Sequence, residues 1–272
     1  MGAFGEEGSV VEVAALYIYP LKSAAGIALT QAEVDEFGLR YDRRWMIADG
    51  NGRFISQREE PRLAQIVPTL REEALVLTAP QMEPLRLALD VRGQPPSVRV
   101  VVWDDDLIAT PVGDAADRWA SDFLGRRCRL VYIAPEQGRK LSAHAKVGFA
   151  DAFPFLLVSE ASLEDLNGRL ARPVPMNRFR PNIVVRGVGP FAEDGWARIE
   201  IAGITFRVAK PCARCVITTT DQKTGVRAPD AEPLRTLATY RRRGKDLLFG
   251  QNLLHEGRGM IKVGDIVRVF AR

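Results

Sequence analysis

The sequence predicts an α+β protein, strand-rich, with barrel-like sheets, a smaller N-terminal β domain and a few peripheral helices. Two observations carry this. Short β-branched and aromatic runs, closed by Gly, Pro or Asn-Gly, recur along most of the chain, while helical spacing appears in few places. The first run covers residues 11–19 and is ended by Pro20. Residues 27–34 alternate loosely before Gly38. Trp45 to Ala48 and Arg53 to Ile55 flank Asp49-Gly50-Asn51-Gly52, a hairpin signal because Asn-Gly supplies the positive φ angles of a tight turn. Residues 75–77 and 85–89 read as a strand pair, and Val98, Val100 and Val102 alternate within 97–103. The acidic run Asp104-Asp105-Asp106 then reads as a solvated turn after Trp103. In the second half, residues 182–186, 197–201, 204–208, 215–220 and 265–270 read as strands, with a hairpin about Ala202-Gly203.

Ala116, Trp119, Ala120, Phe123 and Leu124 share one helical face, with Asp114 as the expected N-cap. A second helix starts near Ser159 with Leu163, Leu166 and Leu170 on a stripe, and a short third one begins at Pro233. The polar stretch between Leu130 and Phe149 marks a boundary, giving expected units 8–130 and 131–272.

With 272 residues, 46% of them apolar, the chain can bury a core without staples. A net charge of +4 is too small for a protein that coats nucleic acid, and suits a local basic pocket. Three cysteines have the wrong parity for a disulfide framework, which favours a reducing compartment. Residues 1–7 show no basic segment followed by an apolar core, and no apolar run approaches the ~20 residues of a membrane helix. The chain is expected to be cytoplasmic and free of membrane.

Cys212-Ala213-Arg214-Cys215 is the main chemical candidate. Such a pair serves as a redox dithiol, as half a zinc site, or as a source of one soft thiolate ligand. Cys128, His144 and His255 stand at no ligand spacing from it, which weakens zinc. The strand read over 215–220 weakens the dithiol, which usually opens a helix. Two buried structural cysteines remain the competing reading. Arg43-Arg44 and Arg178-Phe179-Arg180 offer planar donor forks suited to phosphate, against ordinary surface charge. Lys22-Ser23 at a strand end and Ser159 before a helix are further anion candidates, against a plain turn and a plain cap. Arg241-Arg242-Arg243 reads as an exposed loop, with an acidic electron-transfer partner as the alternative, and His144 and His255 as surface or packing residues.

Eight stretches in order resemble the MOSC family in its two-part form with an N-terminal MOSC-associated β domain. They begin at Ile18, Gly38, Gln57, Ser159, Arg178, Cys212, Leu248 and Val263. The resemblance is to amidoxime-reducing components and their bacterial counterparts. It implies a molybdenum cofactor (molybdopterin), with Cys215 as catalytic residue and metal ligand. It implies that Lys22, Ser23, Arg43, Ser159, Arg180, Asn182 and Arg214 bind that cofactor. Asn252 stands where mitochondrial relatives carry tyrosine. The implied activity is reduction of N-hydroxylated compounds: amidoximes, hydroxamic acids and N-hydroxylated bases. Electrons would come from a separate donor protein, flavin-bearing, cytochrome b5-like or ferredoxin-like, because the chain shows no haem or iron–sulfur motif, no anchor and no added ferredoxin domain. The alternative is a cofactor carrier or sulfur-handling module without reductase activity.

Overall fold

The computed structural model describes residues 10–89, 91 and 97–272. The reading of residues 1–7, and the first two residues of the expected 8–130 unit, lie outside the described residues.

The largest sheet is built from β1 (Glu12–Ile18), β2 (Ile27–Leu29), β3 (Phe155–Ser159), β4 (Ile183–Arg186), β5 (Trp196–Ile201), β6 (Ile204–Ala213), β7 (Asp246–Glu256) and β8 (Val267–Ala271). Their order is β2-β1-β4-β3-β7-β6-β5-β8, and Arg242–Arg243 adds a short strand to β7. β3 and β4 run parallel, and helix α2 (Glu160–Arg169) lies on the connection that parallel strands require. β5 and β6 form the expected hairpin, with Ile201 opposite Ile204.

The sheet curls until its ends approach. Glu12 bridges Ile266, Val13 N–H donates to Asp265 O at 2.9 Å, and Val267 N–H donates to Val11 O at 2.8 Å. No full ladder joins these ends, so the expected barrel-like sheet is not a closed barrel among the described residues. Leu16, Ile18, Leu157, Ile183, Ile199, Phe206 and Val267 fill its interior. A register shift between Val13 and Ala15 explains why the inward positions of β1 run 13, 16, 18 rather than in strict alternation. β1 and β2 come from the first half of the chain yet complete the sheet of the second. Gln31–Asp35 likewise pairs with Gly259–Lys262.

The rest of the first half forms a separate layer. Trp45–Asp49, Cys128–Tyr132, Asp105–Pro111 and Val98–Val102 make one sheet in that order, and Val67–Arg71, Ala74–Thr78 and Leu85–Ala88 make a second. The hairpin expected at 49–52 closes by a single bridge, Ala48 to Phe54, because the ladder partner of Trp45–Asp49 is Cys128–Tyr132. Asp105 and Asp106 begin a strand, so the turn after Trp103 is shorter than the acidic run suggested. Helix α1 (Asp114–Leu124) buries the five expected apolar residues, each large one contributing about 1.5–3 kcal/mol. Its N-cap is Gly113 rather than Asp114, which starts the helix without a side-chain cap bond. The third helix, α3 (Leu234–Tyr240), follows Pro233 as expected.

Two further readings are corrected. Residues 215–220 are not a strand: Val216–Thr219 form a 3-10 turn with Cys215 at its N-cap. The Thr218 hydroxyl donates to Cys215 O at 2.9 Å and that of Thr219 to Val216 O at 2.7 Å, bonds a strand could not make. Arg241 is not on an exposed loop: it ends α3 and pairs with Asp194 at 2.6 Å.

Candidate active site

The site lies where the β1 exit meets the end of β6. After β1, Tyr19 is buried and its N–H donates to the Asp42 carboxylate at 2.7 Å. Lys22 N–H then donates to Trp45 O at 2.8 Å and Arg43 N–H to Tyr19 O at 3.0 Å, so the two segments hold each other. Ser23, Arg43 and Arg180 have left-handed backbones, with φ of 69°, 48° and 55°. Each such residue costs about 1–2 kcal/mol and persists only where surrounding contacts determine it.

Those contacts converge on a cavity of about 290 Å³. Among the described residues six cations line it, Lys22, Arg43, Arg58, Arg180, Lys210 and Arg214, against one carboxylate, Asp151. Cys212 and Cys215 stand in the same wall as free, half-buried cysteines. A larger cleft, about 780 Å³, is lined by Asp49, Arg99, Asp117 and Cys128 and holds none of the expected site residues. Cys128 is buried there, and burial pushes its thiol up, as for an inert core cysteine.

Lys22, Arg43 and Arg180 are held from behind. Lys22 donates to Phe149 O at 2.7 Å and to Asp151. Burial pulls the Lys22 amine below its ordinary value, against the opposing charge of Asp151. Burial also acts to raise Asp151, but Lys22 and Arg58 hold its carboxyl well below the usual carboxylate range. Arg43 donates to Asp42 and to Asn182 Oδ1, the latter at 3.1 Å. Arg180 donates to Ala24 O at 2.5 Å, and burial pulls its guanidinium down to about 10. Both guanidiniums lie over the Tyr19 ring, 4.4 Å and 4.2 Å from its centroid.

The two arginine pairs divide their labour. Arg44 donates to Ile133 O at 2.6 Å, and Arg178 to Thr219 O at 2.8 Å, so both are structural. Arg43 and Arg180 are the members that reach the cavity. Asn182 lines the cavity, but its amide is engaged: Oδ1 also accepts Leu156 N–H, and Nδ2 donates to Tyr17 O. It therefore acts by fixing Arg43. Ser159 is not brought to the cavity. Fully buried, its hydroxyl caps α2 through Ser162 N–H at 3.1 Å, and its own N–H donates to Glu193 at 3.1 Å.

The cysteines differ in their surroundings. Cys212 packs against the cluster containing Phe179 and Phe249, and its sulfur accepts from Arg214 at 3.0 Å. The Cys215 sulfur accepts from Arg58 at 3.3 Å. Among the described residues no group of three or more His, Cys, Asp or Glu side chains is placed to hold a metal ion. A 3-10 turn, not a strand, follows Cys215, so the backbone after the pair gives no reason to exclude a dithiol. Arg58, Asp151 and Lys210 were missed by sequence reading. Arg58 lies in the resembling stretch from Gln57, a signal that was present but not assigned a role.

Comparison with known proteins places this geometry. The model of the MOSC N-terminal beta barrel domain matches residues 10–127, and that of the MOSC domain matches residues 144–268. The cavity thus lies in a protein of the MOSC class. Mitochondrial amidoxime-reducing component 1 of Mus musculus is 38% identical over 96% of this chain and 82% of its own length. The Homo sapiens component 1 is 36% identical over 96% and 83%, and component 2 of Rattus norvegicus 35% over 94% and 82%. The chain belongs to the amidoxime-reducing component family of MOSC proteins, and that membership makes it an oxidoreductase. Among solved structures, the YUAD protein of Bacillus subtilis aligns with 97% of each chain at a TM-score of 0.44 and 10% identity. The relatives are named for mitochondria and lend the cytoplasmic expectation no support. Among the described residues no helix is long and apolar enough to cross a membrane.

Proposed function

We propose that the chain is a molybdenum-cofactor-dependent reductase of N-hydroxylated compounds, supplied with electrons by a separate donor protein. The observation that carries this reading is a pair of half-buried thiols, Cys212 and Cys215, in the wall of a cavity lined by six cations. A soft thiolate suits molybdenum, and clustered guanidiniums suit a pterin phosphate. Among the described residues no protein cluster completes a metal site, so one thiol of the cavity wall would be the protein's own ligand, with the others arriving on the cofactor, and the resemblance to amidoxime-reducing components implies that this thiol is Cys215 rather than Cys212. When bound, the cofactor supplies the two electrons that, with two protons, convert an N–OH group to N–H and water.

The chain's residues do the holding. Lys22, Arg43, Arg180 and Arg214 neutralise the anionic group, and the Ser23 backbone and hydroxyl add donors. Asn182 and Asp42 keep Arg43 aimed inward. Phe153, Phe155 and Leu156 give the cavity an apolar side that limits water. Units 8–130 and 131–272 are proposed as the two parts of this assembly, each supplying part of the cavity.

Benzamidoxime with a chemical electron donor tests the reading. Purified, cofactor-loaded protein should form benzamidine. Tight cofactor retention without turnover would instead make it a carrier.

A further inference from the structure

Arg58 sits at the junction of three groups at once. Its guanidinium donates to the Cys215 sulfur at 3.3 Å, lies 4.4 Å from the centroid of the Trp103 ring, and faces the Asp151 carboxylate at 3.6 Å. Trp103 has a left-handed backbone, φ 57°, and its ring is braced edge-on by Phe54 at 4.9 Å. Asp151 is itself tied to Lys22. The backbone is fixed as well: Arg58 N–H donates to the Ser56 hydroxyl at 3.2 Å, and Arg227 donates to the carbonyls of Gln57, at 2.9 Å, and Arg58. Arg227 follows the Cys215 turn in the chain, so that turn and the Arg58 loop are cross-tied at both backbone and side chain.

We infer that Arg58 is a positioning residue that orients the Cys215 thiolate and draws electron density from its sulfur. This rests on the proposed role of Cys215 as metal ligand. A donor to a ligating sulfur fixes the ligand's direction and weakens its electron donation, which favours the reduced metal. Ring stacking and the shared Asp151 keep the fork on the sulfur. Lysine at this position would keep the charge and lose the planar fork.

The test uses cofactor-loaded protein from a cofactor-competent host, comparing wild type with Arg58→Gln, Arg58→Lys and Trp103→Leu. Three quantities are read: molybdenum per chain, the midpoint potential of the metal, and its paramagnetic resonance spectrum. Arg58→Gln should move the midpoint to more negative potential and change the spectrum. Arg58→Lys should recover part of the midpoint but not the spectrum, and Trp103→Leu should shift the midpoint the same way by less. A wild-type midpoint and spectrum in Arg58→Gln would overturn the inference while leaving the metal site intact. Absence of molybdenum from the wild type would overturn the parent reading and this inference with it. If Arg58→Gln does not fold, an unshifted midpoint in Trp103→Leu overturns the inference.

Discussion

The cavity wall supplied by residues 19–58 and the wall supplied by residues 210–217 are both cationic, but they are built by different means. On the first, Lys22 is buried, Ser23 and Arg43 are held in left-handed conformations, and the cations are braced by Asp42, Asn182 and Asp151. On the second, Lys210 and Ala213 are exposed and both cysteines are half-buried in ordinary extended backbone and a short turn. The first wall carries strain and desolvation that only surrounding contacts can offset. The second is open where a substrate or an electron donor would approach. Under the proposed function, anion holding would be fixed in advance on one side, and the chemistry would be exposed on the other.

The strongest way to break the contrast is to remove a braced cation. Lys22→Met removes a buried cation from the cavity wall; a hydrogen bond from such a cation to the cofactor's anionic group would contribute about 1.5–3 kcal/mol, so cofactor content should fall about tenfold or more. Elemental analysis of molybdenum in the purified variant checks this; unchanged loading would mean that the first wall does not hold the anion.

A smaller effect sharpens the boundary of the site. Ser159→Ala removes the α2 cap and should cost about 1 kcal/mol in denaturant unfolding, with molybdenum content unchanged. A loss of cofactor instead would return Ser159 to the site.

The smallest effect concerns the interior beneath both walls. His255 is buried edge-on to Phe155, and burial pulls its ring below the ordinary value of 6.5. The unfolded chain then takes up the proton first. The stability this group contributes is present above 6.5 and is lost as pH falls through that value toward the lower folded one. Thermal midpoints measured across this window should drop on acidification, and drop less in His255→Leu. Equal slopes for both would assign the acid sensitivity elsewhere.

How much could be read from sequence follows the same physics. Helix α1 was legible because its five buried apolar residues repeat at helical spacing, and the β5–β6 hairpin because its alternation brackets Ala202-Gly203. β7 was missed. It is a continuous central strand with Gly250 near its middle, whose missing side chain lets Leu157 O approach to 2.7 Å of where a Cβ would stand, so the sequence shows no clean alternation. The 3-10 turn after Cys215 reads as strand because Val, Ile and Thr favour extended backbone; the backbone bonds of Thr218 N–H to Cys215 O and Thr220 N–H to Ile217 O, with the threonine hydroxyl bonds, reverse it. In the site, residue type and spacing alone leave Arg43-Arg44 and Arg178-Phe179-Arg180 as equal pairs, and only the resemblance singles out Arg43 and Arg180. The fold supplies the physical reason: these two have left-handed backbones and are the members that line the cavity. Asp151 joins the site through contacts distant in sequence, to Lys22 and Arg58, which no local pattern could reveal.

The most direct test compares molybdenum content and benzamidoxime turnover in Cys215→Ala and Cys212→Ala from a cofactor-competent host. The account predicts that Cys215→Ala loses turnover and most of its metal, while Cys212→Ala, which loses only packing and an arginine contact, stays within about threefold of wild type. Full metal and full turnover in Cys215→Ala would contradict it.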